Sequence, residues 1–280
     1  MQDLDALKAL VLADHTERSQ PISKLGYFCK PFRPSQGPFA NKVIKVYRGM
    51  SDQTALHRLA ECHDDYVDVL REIGVPLPET TFYLLKFEHD LIPVIAQQAL
   101  PDSSMMRTQM LAVETEQAIG MLASAAEVIA DFWNSLDPHG PRVGFHPSIR
   151  NFAIVEGKAI FFDTFPPLIH YERNEMGRML LQFSEKRLMR VLGPLLQNKV
   201  TSIQDEWYTP AETLVGLVGS ACRLRPADRS VFLQWGCEFA RHRMARWADQ
   251  AQASMQAPPQ LPRYWTAMRK LLGLQGAPNI

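Results

Sequence analysis

Apolar and polar positions alternate in much of the first hundred residues and recur every three or four positions in most of the rest. Alternation is typical of strands that bury one face, and it predicts four strands, at residues 24–32, 42–48, 80–87 and 91–96. Helical spacing predicts a peripheral helix over residues 3–15 and a second helix that starts at Ser51 or Asp52 and ends at Gly74. The first part is therefore expected to be a small α+β unit with a mainly antiparallel sheet.

Beyond Ser103 the apolar spacing is mainly helical. It predicts five helices, at residues 108–136, 175–197, 210–222, 228–254 and 262–273. Between the two parts, the stretch from Gln97 to Pro101 has the composition of a linker. We therefore expect a boundary near residue 100.

One short stretch of the helical part has strand character. Phe152–Val155 and Ala159–Phe162 flank a turn at residues 156–158, which predicts a β-hairpin. Asn151 precedes the first strand, and Asp163 follows the second, twelve positions later. Because a hairpin brings its two ends to one edge, the side chains should converge, and their oxygens suit Mg²⁺. The alternative is an ordinary hairpin with polar ends.

A lysine interrupts the apolar face of the strand at residues 42–48. Strand geometry puts Val43, Lys45 and Tyr47 on one face and Ile44 and Val46 on the other. Lys45 is then either an exposed lysine on a sheet edge or a cation that the sheet directs at a ligand.

Composition excludes several classes of function. Lys and Arg together number 30, as do Asp and Glu, so no overall field favours nucleic acid or an acidic membrane. The four cysteines have no C-x-x-C spacing and are expected to be reduced thiols. An acidic start and the lack of any apolar run near ~18 residues predict a cytoplasmic protein with no membrane or nucleic-acid partner.

The order of these features is that of a known fold: a small sheet with a strand lysine, one helix, two strands, a linker, and a helical part with a polar hairpin. Over about residues 20–250 the chain resembles the protein-kinase-like fold, in particular the aminoglycoside/choline phosphotransferase branch. The resemblance implies an α+β, two-lobed architecture with an N-lobe of residues 1–100 and a mainly helical C-lobe of residues 101–280.

The resemblance also assigns roles to residues. Val43-Ile44-Lys45 matches the family's strand lysine in type, so Lys45 would contact nucleotide phosphates. Asn151 and Asp163 fall on the two metal-ligand positions, and Gln98 lies in the implied hinge whose backbone groups would bind adenine. The implied cofactors are ATP and Mg²⁺.

Three features depart from the family pattern. His146 stands where the catalytic aspartate is expected, five residues before Asn151. An imidazole can accept a proton at neutral pH, so His146 is the candidate base, although a structural role is the alternative. The glycine-rich loop is weak, since only Gly26 and Gly37 are available. Glu61 has a family-like separation from Lys45, but the helical wheel puts it nearly opposite the apolar stripe of its helix.

Two main hypotheses follow. The first is an ATP- and Mg²⁺-dependent phosphotransferase acting on a hydroxyl of a small molecule. Its catalytic residues would be His146, Asn151 and Asp163, with Lys45, Glu61 and Gln98 at the nucleotide. The second is a pseudokinase-like protein that binds nucleotide, or acts as a scaffold, without phosphoryl transfer. A kinase-like enzyme with altered chemistry, such as adenylyl transfer, remains a third possibility.

Overall fold

The computed structural model describes residues 2–13, 29, 31–183 and 205–256, and within them the fold is α+β. The helices are α1 (Gln2–Ala13), α2 (Gln53–Glu72), α3 (Met106–Ala112), α4 (Thr115–Ser135), α5 (Arg173–Gln182), α6 (Pro210–Leu224), α7 (Arg229–Arg243) and α8 (Ala248–Gln256). The strands are β1 (Lys42–Val46), β2 (Thr80–Phe87), β3 (Asp90–Gln98), β4 (Phe152–Val155) and β5 (Lys158–Phe161). Among these helices, none combines the length and apolar character needed to cross a membrane.

The first sheet has the strand order β1-β3-β2, and all of its pairs are antiparallel. Lys45 lies opposite Ile95 in this register, so the lysine strand neighbours the strand that leads to the predicted linker. On the other side of β1, Phe32 exchanges two backbone hydrogen bonds with Ile44, of 2.8 and 3.0 Å. β1 is therefore covered on both sides at this point, and Lys45 is not an edge residue.

The two faces of β1 contact different parts of the molecule, as the alternation predicts. Ile44 and Val46 belong to a small core with Leu7 and Val11 of α1. Lys45 and Tyr47 face the opposite way, toward the second part of the chain. This division follows from the two-residue period of a strand and directs the lysine into the molecule.

Helix α2 has the predicted limits and links the sheet to the helical part. Asp52 caps its start by accepting the N–H of Ala55, and Gly74 follows its end with a φ of +88°. The apolar stripe is buried in the main core, whereas the acidic residues on the other face are exposed.

The second part packs helices around the β4–β5 hairpin. Glu156 and Gly157 form its turn with φ of +52° and +77°, the left-handed values that a two-residue hairpin turn requires. Behind the hairpin lies a group of buried aromatic rings that contact one another, namely Phe132, Phe145, Phe152 and Phe161. These rings fix the strands that carry Asn151 and Asp163 at their ends.

Three predictions about element limits were wrong. The helix predicted at 108–136 is divided into α3 and α4, and the helix predicted at 228–254 into α7 and α8. Gln97 and Gln98 belong to β3 and not to a linker. The helix predicted at 262–273, residues 184–197 of another, and most of the strand predicted at 24–32 lie outside the described residues.

Candidate functional site

The loop from Gly144 to Asn151 is held in place by distant parts of the chain. Three hydrogen bonds fix it: Tyr66 Oη donates to the Gly144 carbonyl (3.0 Å), the Phe145 N–H to the Trp207 carbonyl (2.7 Å), and the Ile149 N–H to Ser220 Oγ (3.1 Å). The buried Ser148 hydroxyl accepts the N–H of Arg150, so its role is in the loop structure. The loop is therefore a rigid support for His146.

Lys45 crosses from the sheet to the hairpin. Its ammonium group donates to the Phe162 carbonyl (3.0 Å) and to Gln97 Oε1 (3.1 Å), and only 7% of the residue is exposed. Burial lowers the pKa of Lys45, and the nearby Asp163 opposes this effect in part. A buried lysine that contacts neutral oxygens has a charge that a bound anion can still neutralise.

The residues on both sides of Asp163 are held by the first part of the chain. Before it, the Phe162 carbonyl accepts from Lys45, as above. After it, Thr164 Oγ1 lies 3.0 Å from His63 Nε2 of α2, and both residues are buried. Burial lowers the pKa of His63, so its ring is neutral at physiological pH and does not add a second cation beside Lys45. Asp163 is thereby fixed between the sheet, α2 and the hairpin.

His146 and Asp163 form the polar centre of the site. Nδ1 of His146 lies 3.3 Å from Oδ2 of Asp163, and each side chain is 26% exposed. The imidazole also packs against the Trp207 ring, with 4.4 Å between centroids. Nδ1 is buried and forms no hydrogen bond of good geometry within the described residues, so the Asp163 carboxylate acts on the ring through its charge at 3.3 Å. No described residue bonds Nε2, which is therefore the nitrogen that a ligand could reach.

Asp163 is ionised in this setting. Burial alone would raise the pKa of its carboxyl group, but His146, Lys45 and the Phe165 N–H together outweigh burial and hold the pKa below its usual value. A permanently negative carboxylate beside two potential cations is suited to binding a metal ion and to orienting the imidazole.

Asn151 lies beside this centre with its amide group fixed. Its Nδ2 donates to the His146 carbonyl (3.2 Å), so Oδ1 is the atom left to bind a ligand. Its backbone carbonyl accepts the Phe162 N–H (3.0 Å), which ties the two ends of the hairpin together. No group of three or more His, Cys, Asp or Glu side chains forms a metal site within the described ranges. One carboxylate and one amide fit Mg²⁺, which keeps several waters and takes other ligands from substrate phosphates.

Two predicted nucleotide contacts differ from expectation. Glu61 is exposed on the outer face of α2 and does not reach Lys45, whose side-chain partner is Gln97. The helical wheel gives the reason, because the inward-facing polar residue of this helix is His63. At Gln98 the backbone N–H donates to the Glu79 carbonyl (2.7 Å), so an adenine contact at this residue would fall to its carbonyl group.

Sequence reasoning missed three residues of the site. Gln97, which holds Lys45, is anchored in turn by its donation to Thr80 Oγ1 (2.9 Å). His63 had a visible signal, since it is the one imidazole within the apolar stripe of its helix. Trp207 had none, because it lies 61 residues from His146 (207 minus 146) with no pattern connecting the two.

Next to Trp207, the half-buried Glu206 is expected to make stability depend on pH. Burial, with a smaller effect of Glu212, raises its pKa to about 7, well above the usual ~4.3 of an unfolded glutamate. The folded state therefore binds the proton more tightly, and stability that is present below about pH 4 is lost as pH rises toward 7. Glu206→Gln should not lose stability in this way. Above about pH 7 its free energy of unfolding should exceed that of the wild type by on the order of 1 kcal/mol after allowance for solvent screening.

Urea unfolding of both proteins at pH 4.5 and pH 8 measures this difference. Glu238→Gln, on the exposed surface of α7, is the control and should follow the wild type at both values. Equal pH dependence in the Glu206 and Glu238 variants would contradict the prediction.

Comparison with known proteins identifies the family. No curated protein and no solved structure matches this chain significantly. A family model described as "Family of unknown function (DUF6206)" matches residues 6–276. Since this is nearly the whole length, the chain is a member of the DUF6206 family.

Proposed function

We propose that this protein is an ATP- and Mg²⁺-dependent phosphotransferase that transfers a phosphoryl group to a hydroxyl of a small molecule. The observation that carries the proposal is the meeting of Lys45, Asp163 and His146 at one point. Lys45 comes from the sheet, and the other two come from the loop and hairpin of the helical part. This is the arrangement that the two-lobed, kinase-like resemblance implies, and we include that fold in the proposal.

Each residue has a role that its surroundings support. Lys45 would bind the nucleotide phosphates, because it is a buried cation whose direct contacts are neutral. Asn151 Oδ1 and the Asp163 carboxylate would hold Mg²⁺, which when bound neutralises charge on the phosphates. Gln97 and His63 keep Lys45 and Thr164 in position around Asp163.

His146 is the proposed base. The Asp163 carboxylate faces Nδ1 at 3.3 Å, so Nε2 would be the nitrogen that takes the proton of the acceptor hydroxyl. The acceptor oxygen forms a bond to the γ-phosphorus as the bond between that phosphorus and the β–γ bridging oxygen breaks. ADP leaves with the bond electrons, and the hydroxyl proton ends on Nε2.

A second candidate function is nucleotide binding without transfer. It is favoured by one specific observation, namely that histidine occupies the position where the resembled family has its catalytic aspartate. His146→Ala separates the two functions, because a binder needs no base and an enzyme does.

The proposal also concerns the compartment. None of the four cysteines is in a disulfide bond, and three of them are buried. Reduced thiols fit a reducing compartment, so we propose that the phosphotransferase is cytoplasmic.

A thermal-shift experiment with transfer assays tests the proposal. ATP and Mg²⁺ together should raise the melting temperature of the wild type by several degrees, and more than either alone, because the metal and Lys45 act on the same phosphates. With an active acceptor, His146→Ala should keep this shift and lose about 100-fold in transfer rate. Absence of any Mg·ATP-dependent shift in the wild type would refute nucleotide binding. An undiminished rate in the variant would refute the base role.

A further inference from the structure

Two opposite charges lie half-buried near the loop that carries His146 and act on each other only at a distance, since no salt bridge joins them within the described residues. They are the carboxylate of Glu206 and the guanidinium of Arg223. Within the described part of the chain, neither side chain forms a hydrogen bond or a salt bridge, and Nε of Arg223 is buried without a partner. Burial shifts both toward their neutral forms, since the pKa of Glu206 is raised and that of Arg223 is lowered. Charges in this condition favour a ligand that can pair with them.

One side of α6 directs Arg223 toward the loop. Glu212, Gly216, Gly219 and Arg223 follow one another at spacings of four, three and four residues, and therefore lie on one face of the helix. A Cβ at Gly216 would lie 2.8 Å from Pro147 Cγ, so this face touches the residue that follows His146.

Arg223 lies along the same face. A Cβ at Gly219 would lie 3.2 Å from Nη1 of Arg223, which shows that the guanidinium is folded back over Gly219 toward the start of the helix. The lack of a side chain at Gly219 leaves room for it.

Glu206 approaches from the other side of the loop. It precedes Trp207, whose ring packs on the imidazole of His146. The charged groups that face Glu206 are Asp205 beside it and Glu212 and Arg223 from α6. Asp205 is paired with Arg173, and Glu212 accepts a hydrogen bond from the neutral Ser254 hydroxyl (2.8 Å), which leaves its charge in place. Within the described residues, Glu206 and Arg223 are the two charged groups of this cluster whose side chains form no hydrogen bond.

We propose that Glu206 and Arg223 form the acceptor subsite and that they bind a small hydroxylated amino acid. The inference rests on the proposed phosphotransferase function. Arg223 would take the carboxylate of the acceptor through its planar fork, Glu206 would take the ammonium group, and the hydroxyl would point at His146. A zwitterion placed between the two neutralises both half-buried charges at once, whereas a ligand with a single charge would leave one of them unpaired.

Calorimetry on the full chain without nucleotide tests the subsite. The probes are L-serine and L-homoserine, with ethanolamine lacking the carboxylate and 4-hydroxybutyrate lacking the ammonium group. At least one amino acid should bind 10-fold or more tightly than either singly charged analogue. Arg223→Gln should remove the preference over ethanolamine, and Glu206→Gln the preference over 4-hydroxybutyrate. The controls Arg229→Gln and Glu238→Gln, both on the exposed surface of α7, should bind as the wild type does.

The pH dependence provides a second readout. Affinity for the amino acid should fall below about pH 7, because a protonated Glu206 cannot pair with an ammonium group, and Glu206→Gln should lose this dependence. If Arg223→Gln does not fold, Arg223→Lys is the substitute, because it retains a cation without the planar fork. This variant should bind the amino acid more weakly than the wild type does, but more tightly than the wild type binds ethanolamine.

The outcomes separate this proposal from the preceding one. If the amino acid binds and Mg·ATP does not, the subsite stands and the phosphotransferase fails. If neither amino acid binds, the subsite is wrong, and coupled effects of Glu206→Gln and Arg223→Gln on stability would then identify the two residues as an internal ion pair. Equal binding of ethanolamine would also overturn it, as a site for a cation alone.

Discussion

Asp163→Asn is expected to abolish the Mg·ATP-dependent rise in melting temperature and to lower phosphoryl transfer by about a thousandfold or more. The substitution keeps the shape of the side chain and removes its charge. The carboxyl group has a pKa below its usual value despite burial, so the wild-type residue is an anion at every pH near neutrality. Asparagine would remove the anionic metal ligand and the partner of His146 together, and a thousandfold corresponds to about 4 kcal/mol of transition-state stabilisation.

Measurements without ligand distinguish this effect from unfolding. The folded surroundings stabilise the Asp163 carboxylate on balance, so Asp163→Asn should have a lower ligand-free melting temperature but keep a cooperative transition, and its Mg·ATP shift is measured from that baseline. Asp68→Asn, on the exposed face of α2, is the matched control and should retain both the shift and the transfer rate. A full Mg·ATP shift in Asp163→Asn would show that the nucleotide and metal bind elsewhere.

Local patterns predicted most of the elements because local physics determines them. β2 has the predicted limits, since its run of aromatic and aliphatic residues is bounded by Pro78 before it and by Glu88, which permits the tight turn that follows. The β4–β5 hairpin was predicted within one residue, because a glycine turn separates two short apolar runs. The faces of β1 follow from strand geometry alone, and this was enough to direct Lys45 away from α1.

The errors in the helices have causes that are distant in sequence. The break between α3 and α4 contains neither proline nor glycine. Nη1 of Arg225 donates to the carbonyls of Met110 (2.8 Å) and Val113 (2.6 Å), and these bonds satisfy the end of α3 from more than a hundred residues away. No reading of residues 108–136 alone contains that information.

The same distinction applies to the candidate site. Lys45, Asn151 and Asp163 were identifiable because each occupies a definite position on a strand or at a strand end. The contact of His63 with Thr164 spans 101 residues and depends on how α2 packs against the hairpin. Glu61 was chosen by sequence separation, and the helix instead turns His63 inward. Spacing along a chain identifies candidate residues, whereas the face of a helix decides which of them reaches the site.

Lys45→Met is expected to weaken Mg·ATP binding by 10-fold or more, with a loss in transfer of about 100-fold or more. The reason lies in the partners of Lys45, which are Gln97 Oε1 and the Phe162 carbonyl. Neither carries a formal charge, and the Asp163 carboxylate acts on the ammonium group only from a distance, so the ammonium group can still pair with a phosphate. Methionine fills a similar volume but carries no charge. Nucleotide affinity is measured by calorimetry, with Lys42→Met, three residues earlier on β1, as the control that should bind normally.

Stability measurements and a second variant test whether the charge of Lys45 is what binds Mg·ATP. Burial lowers the pKa of Lys45, so the folded state binds this proton less tightly than the unfolded chain does. The cost to stability is then largest below the lowered pKa and disappears as pH rises toward ~10.4, so Lys45→Met should be at least as stable as the wild type at pH 7.

Gln97→Glu keeps the lysine but gives it a carboxylate partner, which competes with phosphate and should also weaken Mg·ATP binding. If Gln97→Glu bound Mg·ATP as well as the wild type, the neutral surroundings of Lys45 would not be what makes its charge available.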